Sequence, residues 1–226
     1  MGIGTRTEVK QLIKKGQVSV NGTVCKKPEQ KVEETKDHIV FGGAEIAYER
    51  YVYYMLHKPA GYVSAVTDER YPTVVSLIDN PKGYELFPVG RLDLDTEGLL
   101  LITNDGALAH ELLSPKKHVK KTYYAKIDRA VTKEDIQCFL LGVDIGDEKK
   151  TLPADLEILD TKAQDEILLT ITEGRYHQVK RMFEAVGKKL LYLKRMSMGP
   201  LKLDEQLEKG PYRFLTEDEI RLVKDR

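Results

Sequence analysis

The segment that most limits what this chain can become is GLLLIT, residues 98–103, an apolar run followed at once by Asn104-Asp105-Gly106. The run is short and turn formers close it, so it reads as a short buried strand. YVYYMLHKPAGYVSA (51–65) reads as a strand, a loop at Lys58, Pro59 and Gly61, and a second strand. TYYAKI (122–127), DLEIL (155–159) and EILLTIT (166–172) are further strands, and ALAHELLSP (107–115) is helical. Thr216 and Glu219 have the spacing of a capping box ahead of a last helix, DEIRLVKD. Strands and helices mix without a βαβ rhythm or an internal repeat. The expectation for residues 50–226 is therefore an α+β domain with a mixed, mainly antiparallel sheet.

Residues 1–47 form a separate small domain in this reading. Thr7–Lys15 can make a short helix; Val18 and Val20 then alternate with polar residues before Asn21-Gly22, a strong hairpin signal. A strand near Asp37–Phe41 ends at Gly42-Gly43. Arg6, Lys10, Lys14, Lys15, Lys26 and Lys27 give the unit a basic side, and a helix and hairpin alone have little core.

Hydrophobic residues make up 41% and charged residues 32% of the 226, as expected of a soluble globular protein. Cys25 and Cys138 are solitary, which disfavours a disulfide or a zinc site and fits a reducing cytosol. Neither a secretory leader nor an apolar run long enough for a bilayer stands out, so the expected location is cytoplasmic, without a membrane partner. The formal net charge is zero, but its distribution is uneven. Residues 114–126 carry five lysines and no acid, and Arg175–Arg195 carries seven basic residues against the single acid Glu184. Two basic clusters flanking aromatic residues suit a nucleic acid.

Three stretches could carry chemistry. In GRLDLDTEGLL (90–100), Asp93 and Asp95 stand in an irregular turn leading into the leucine strand. They could be catalytic carboxylates on a loop held by a rigid strand, or acids that merely cap the turn's N–H groups. Arg91 could hold the loop through a carboxylate. In EGRYHQVKRMFEAVG (173–187), Val179, Met182, Phe183 and Val186 make a buried helical stripe ended by Gly187. Lys180 lies on the flank of that stripe, where it needs a carboxylate or an escape to water. Arg181 and His177 fall on the outer face, suited to phosphate. In KKTYYAK (120–126), Tyr123 and Tyr124 point to opposite faces of a strand, so one can be core while the other faces a cleft.

Together, GRLDLDTEGLLLITNDG, LHKPAGYV, KTYYAKI and EGRYHQVKRMFEAVG, in that order, closely resemble the ribosomal small-subunit pseudouridine synthase A family of RNA pseudouridine synthases. The resemblance spans about residues 50–226. The first 47 residues resemble the small helix-and-hairpin RNA-binding domain, named after a ribosomal protein, that precedes the catalytic domain in that family. That domain usually opens on an earlier helix, so a front shortened at Met1-Gly2-Ile3-Gly4 is expected.

The resemblance implies the pseudouridine synthase fold and places the catalytic aspartate on Asp93, the conserved tyrosine on Tyr123 and the basic partner on Lys180. It implies breakage of the uracil–ribose bond, rotation of the base and rejoining through carbon 5, with no metal or redox cofactor. Asp93 would attack ribose carbon 1 or remove a proton from the neighbouring carbon, and both routes stay open. Lys180 would keep Asp93 ionised against desolvation, and Tyr123 would stack on the flipped base. Lys116, Lys117, Lys120, Lys121, Arg175, His177 and Arg181, with Arg91 and with Lys10, Lys14 and Lys15, would contact RNA. The expected partner is rRNA or a pre-ribosomal particle, met by a monomer, with Asp95 shaping the turn or pocket. A large-subunit rRNA target, a non-catalytic ribosome-assembly protein and a glycoside hydrolase using Asp93 and Asp95 are the alternatives.

Overall fold

In a computed structural model the described residues are 3–34, 36–46 and 49–225. They fall into two compact units. The first comprises Met1–Tyr51 with Asp79–Glu85, the second Val52–Ile78 with Leu86–Arg226.

The first unit holds helix α1 (Arg6–Lys14) and strands β1 (Val18–Val20), β2 (Thr23–Cys25), β3 (Ile39–Phe41) and β4 (Ala44–Glu45), in the sheet order β2-β1-β3-β4. Thr5 and Glu8 cap α1 reciprocally. Asn21 and Gly22 both have positive φ, 50° and 79°, the geometry a two-residue hairpin of this hand demands. The Asn21 side chain also accepts the His38 N–H and donates to Asp37, which pins β3 beside the turn. Val20 and Cys25 are its buried apolar residues among those described, so the core is as small as expected.

The second unit contains β5 (Tyr53–Lys58), β6 (Phe87–Pro88), β7 (Glu97–Thr103), α2 (Gly106–Leu113), β8 (Lys121–Ile127), α3 (Lys133–Leu141), β9 (Asp155–Ile158), β10 (Glu166–Ile171), α4 (Gln178–Ala185), β11 (Leu190–Met198), β12 (Leu201–Lys202), β13 (Tyr212–Phe214) and α5 (Glu217–Lys224). Among the described residues they build a nine-stranded sheet in the order β13-β5-β7-β11-β8-β10-β9, with β12 on β11 and β6 on β7. Every pairing is antiparallel except β7 with β11. The α+β class and mixed sheet thus match the sequence reading.

Strands β5 and β7 are buried along their whole length, which is why their sequences do not alternate. Met55, Leu99 and Leu101 pack with Leu108 and Leu112 of α2 and with Leu215 and Val223 at the C-terminal helix. Phe183 of α4 meets Phe139 of α3 with ring centroids 5.0 Å apart. Val179, Met182 and Phe183 form the buried stripe of α4, while Val186, expected as its fourth member, is the half-buried C-cap beyond the helix.

The second strand expected after the Pro-Gly loop does not form. Only an isolated bridge, Val63 to Thr73, is present. The backbone there bonds instead to the segment before β7: Gly61 N–H donates to Leu94 O at 2.8 Å. The Ser64 hydroxyl both donates to Leu92 O and accepts from Leu92 N–H, each at 3.0 Å.

At the single parallel seam, Gly98 pairs with Arg195. Its φ is +106°, and a Cβ there would lie 2.3 Å from the Arg195 carbonyl oxygen. Gly98→Ala is expected to lower stability by about 3 kcal/mol, since a collision with backbone has no side chain to yield. An unchanged urea midpoint would contradict this.

Candidate active site

Asp93 sits on the loop between β6 and β7, and that loop is fixed from behind. Lys58, at the end of β5, is fully buried. Its ammonium donates to the carbonyls of Pro59 (3.0 Å), Asp93 (3.0 Å), Leu94 (3.3 Å) and Thr96 (2.8 Å). Four carbonyls turned to one cation tie the turn to the sheet. Burial pushes the Lys58 ammonium down to about 8, although Asp95 and Asp93 pull the other way. Ser64, bonded to Leu92, secures the loop from the side.

In front of the loop lies α4. Lys180 Nζ stands 3.3 Å from Asp93 Oδ2 and donates to both oxygens of Asp95, at 2.7 and 2.9 Å. The flank position read from helical spacing does bring Lys180 to Asp93, but its tighter partner is Asp95. Asp95 thus holds the lysine where it reaches Asp93, a role beyond shaping the turn. Partial burial would lower the Lys180 ammonium; the hydrogen bond it donates to Asp95 and the charges of both aspartates outweigh it and raise it. Partial burial would likewise raise Asp95, and Lys180 reverses that and holds its carboxyl low.

His177 departs from its expected place. It precedes α4 as the N-cap, with a left-handed backbone (φ 46°, ψ 34°), and is not on the helix's outer face. Its Nε2 lies 3.8 Å from Asp93 Oδ1. An αL histidine is costly enough to need support. Buried Gln178 gives it, accepting the Arg175 N–H at 2.9 Å and donating to Glu173 at 3.0 Å.

Ser64, Asp93, His177 and Lys180 line a cleft of about 860 Å³ together with Tyr123, Gln178 and Arg195. Tyr123 is nearly buried, and no described residue hydrogen-bonds its hydroxyl. Tyr124 points to the other face, where its hydroxyl donates to Glu166. This hydrogen bond, with burial, pushes the phenol up to about 12. The opposed faces of the tyrosine pair are as read from the sequence, with Tyr123 on the cleft side.

The remaining basic residues divide in two. Lys116, Lys117 and Lys120 are exposed, while Lys121 is half-buried and donates to Val119 O. Lys10, Lys14 and Lys15 are exposed in the first unit. Arg91 is exposed and binds no carboxylate among the described residues, so it does not hold the loop; Lys58 and Ser64 do. Arg175 and Arg181 do not project freely as phosphate ligands. Both bond Asp147; Arg175 also reaches the carbonyls of Lys149 and Lys150, and Arg181 those of Ile145 and Tyr176. The two arginines clamp the segment after α3 beside the start of α4.

Sequence reasoning missed Lys58, Ser64, Gln178, Arg195 and Asp147 as parts of this site. Lys58 was visible only as a loop residue beside Pro59, with no polar pattern to show that carbonyls converge on it. Arg195 lay inside a basic run, yet it is 2% exposed and its Nε donates to Leu99 O.

The RNA pseudouridylate synthase family matches residues 52–185, and the S4 domain matches residues 1–39. An uncharacterized RNA pseudouridine synthase of Bacillus subtilis is 46% identical over 99% of this chain and 95% of its own. A ribosomal small subunit pseudouridine synthase A of Vibrio parahaemolyticus is 43% identical over 97% of this chain and 94% of its own. A pseudouridylate synthase crystal structure superposes with a TM-score of 0.72 at 39% identity, covering 97% of this chain and 94% of that one.

Proposed function

Because the chain belongs to the RNA pseudouridylate synthase family, with an S4 domain in front, we propose that it isomerises a specific uridine of small-subunit rRNA to pseudouridine. The observation that carries the catalytic reading is the Asp93 carboxylate at the cleft wall, with Lys180 at 3.3 Å and its own backbone gripped by Lys58.

In this reading the uridine flips out of its stack, which costs a few kcal/mol, and its base enters the cleft against Tyr123. The bond between N1 and ribose carbon 1 breaks, and the base turns. Carbon 5 then bonds to the same ribose carbon, carbon 5 gives up its proton, and N1 gains one, so nothing is added or removed overall. Asp93 either takes ribose carbon 1 as a nucleophile or removes the proton from carbon 2. The exposed lysines 116, 117 and 120, with Lys10, Lys14 and Lys15 of the S4 domain, meet phosphates along the RNA. The small-subunit target is supported by the Vibrio relative's name. Among the described residues no helix is long and apolar enough to cross a membrane, and in this reading a monomer works on rRNA in the cytoplasm.

Mapping pseudouridine in rRNA from cells with and without the gene tests the target. Loss of one small-subunit position supports it; loss of a large-subunit position reassigns it, and loss of none favours a binding role. Within the site, Lys180→Met is expected to reduce turnover at saturating RNA at least about 10-fold more than Arg181→Ala. Lys180 faces the reacting carboxylate, whereas Arg181 acts through Asp147. The reverse order would overturn the role given to Lys180.

A further inference from the structure

Tyr176 is out of keeping with the rest of the cleft. It is the residue before His177, it lines the same cavity, and yet its side chain is 74% exposed. A single exposed aromatic ring is ordinary on a protein surface. This one is ordered on one face only: it lies flat on the His177 imidazole, with centroids 3.8 Å apart and planes 20° apart. His177 is in turn fixed by its left-handed backbone and by Asp93 at 3.8 Å, and the Tyr176 carbonyl accepts from Arg181. A short stack therefore runs outward from the catalytic carboxylate to the cleft mouth and ends on an open phenol face. Gln178 and the Arg175–Arg181–Asp147 clamp hold the segment that carries it.

We infer that the outer face of Tyr176 is a stacking platform for an RNA base next to the uridine that enters the cleft. This rests on the reading of the cleft as a uridine site. A flat ring accepts any base, so it contributes binding and register, while sequence preference lies elsewhere. Its placement one residue from His177 means that the platform engages the neighbouring nucleotide while the flipped one lies at Asp93. Pre-stacking on His177 lowers the ordering cost of binding, because the ring is already held in one orientation.

The test uses the full chain and an unmodified small-subunit rRNA transcript. Tyr176→Ala is expected to raise KM for that RNA at least about five-fold, the lower end for losing one stacked base, with kcat kept within about two-fold. Tyr176→Phe should restore the wild-type KM, because the ring and not the hydroxyl does the stacking. The chain contains no tryptophan, so Tyr176→Trp places a single indole at the platform. Its emission should be quenched when the transcript is bound to saturation by gel shift. An unchanged KM in Tyr176→Ala, a loss confined to kcat, or an unquenched indole at saturation would each overturn the inference. A wild-type chain that makes no pseudouridine would instead strike the functional reading, and the indole emission would still decide the stacking.

Discussion

Asp93→Asn is expected to abolish pseudouridine formation while leaving RNA binding within a few-fold of wild type. Asparagine keeps the size and planarity of the carboxylate. It cannot form the ester a nucleophilic route needs, nor accept a proton from ribose carbon 2, so the loss follows on either route. Binding survives because Asp93 is an anion at a site that takes a polyanion, and removing its charge does not weaken phosphate contacts. The mutant also leaves Lys180 paired, since Asp95 bonds it at 2.7 and 2.9 Å. The fold should accordingly be undisturbed. Filter binding with a direct assay for pseudouridine separates the two effects, and normal turnover by Asp93→Asn would end the assignment.

The second large effect is expected at Lys58, which touches no substrate. Lys58→Met preserves the length and apolar stem but removes every donor facing the carbonyls of Pro59, Asp93, Leu94 and Thr96. Two consequences oppose each other in stability. The carbonyls lose their partners, which costs free energy, while a buried ammonium whose proton affinity burial has already lowered is removed, which returns some. Global stability should thus shift little. The loop has no such compensation: a displacement of the carboxylate by about 1 Å is enough to cost about 100-fold in rate. The expected result is a fall of about 100-fold in kcat with a native circular dichroism spectrum and retained RNA binding. Wild-type kcat in a folded Lys58→Met protein would show that the cation is not needed to place Asp93.

Much of this was legible in the sequence where a residue pattern is local. The GLLLIT strand, the Asn21-Gly22 hairpin, the Thr216–Glu219 capping box and the Val179–Met182–Phe183 part of the α4 stripe all follow from spacing, and each stands where it was read, while Val186 falls on the cap. The resemblance pointed to Asp93 and Lys180, and the geometry brings them within 3.3 Å. What was not legible depends on contacts across the chain. The strand expected at Tyr62–Ala65 failed because Ser64 and Gly61 found partners near Leu92 and Leu94, which no alternation rule reveals. His177 was set on a helix face because the spacing could not show that the helix begins one residue later. Helix α3 did carry a signal, the Thr132–Asp135 capping box, that went unread. Strand β11 did not, since LLYLKRMSM mixes basic and apolar residues without a clear period.

The parallel seam between β7 and β11 bears on the chain's birth as well as its chemistry. Asp95 and Lys180 are 85 residues apart in sequence, and β11, which pairs with β7, follows α4, the helix that carries Lys180. Contacts of such separation close late and slowly. A chain still emerging from the ribosome would carry the complete GRLD loop before it has Lys180 or the strand that pairs with Gly98. A chain cut short before α4 would thus present Asp93 without the ammonium that stands 3.3 Å from it.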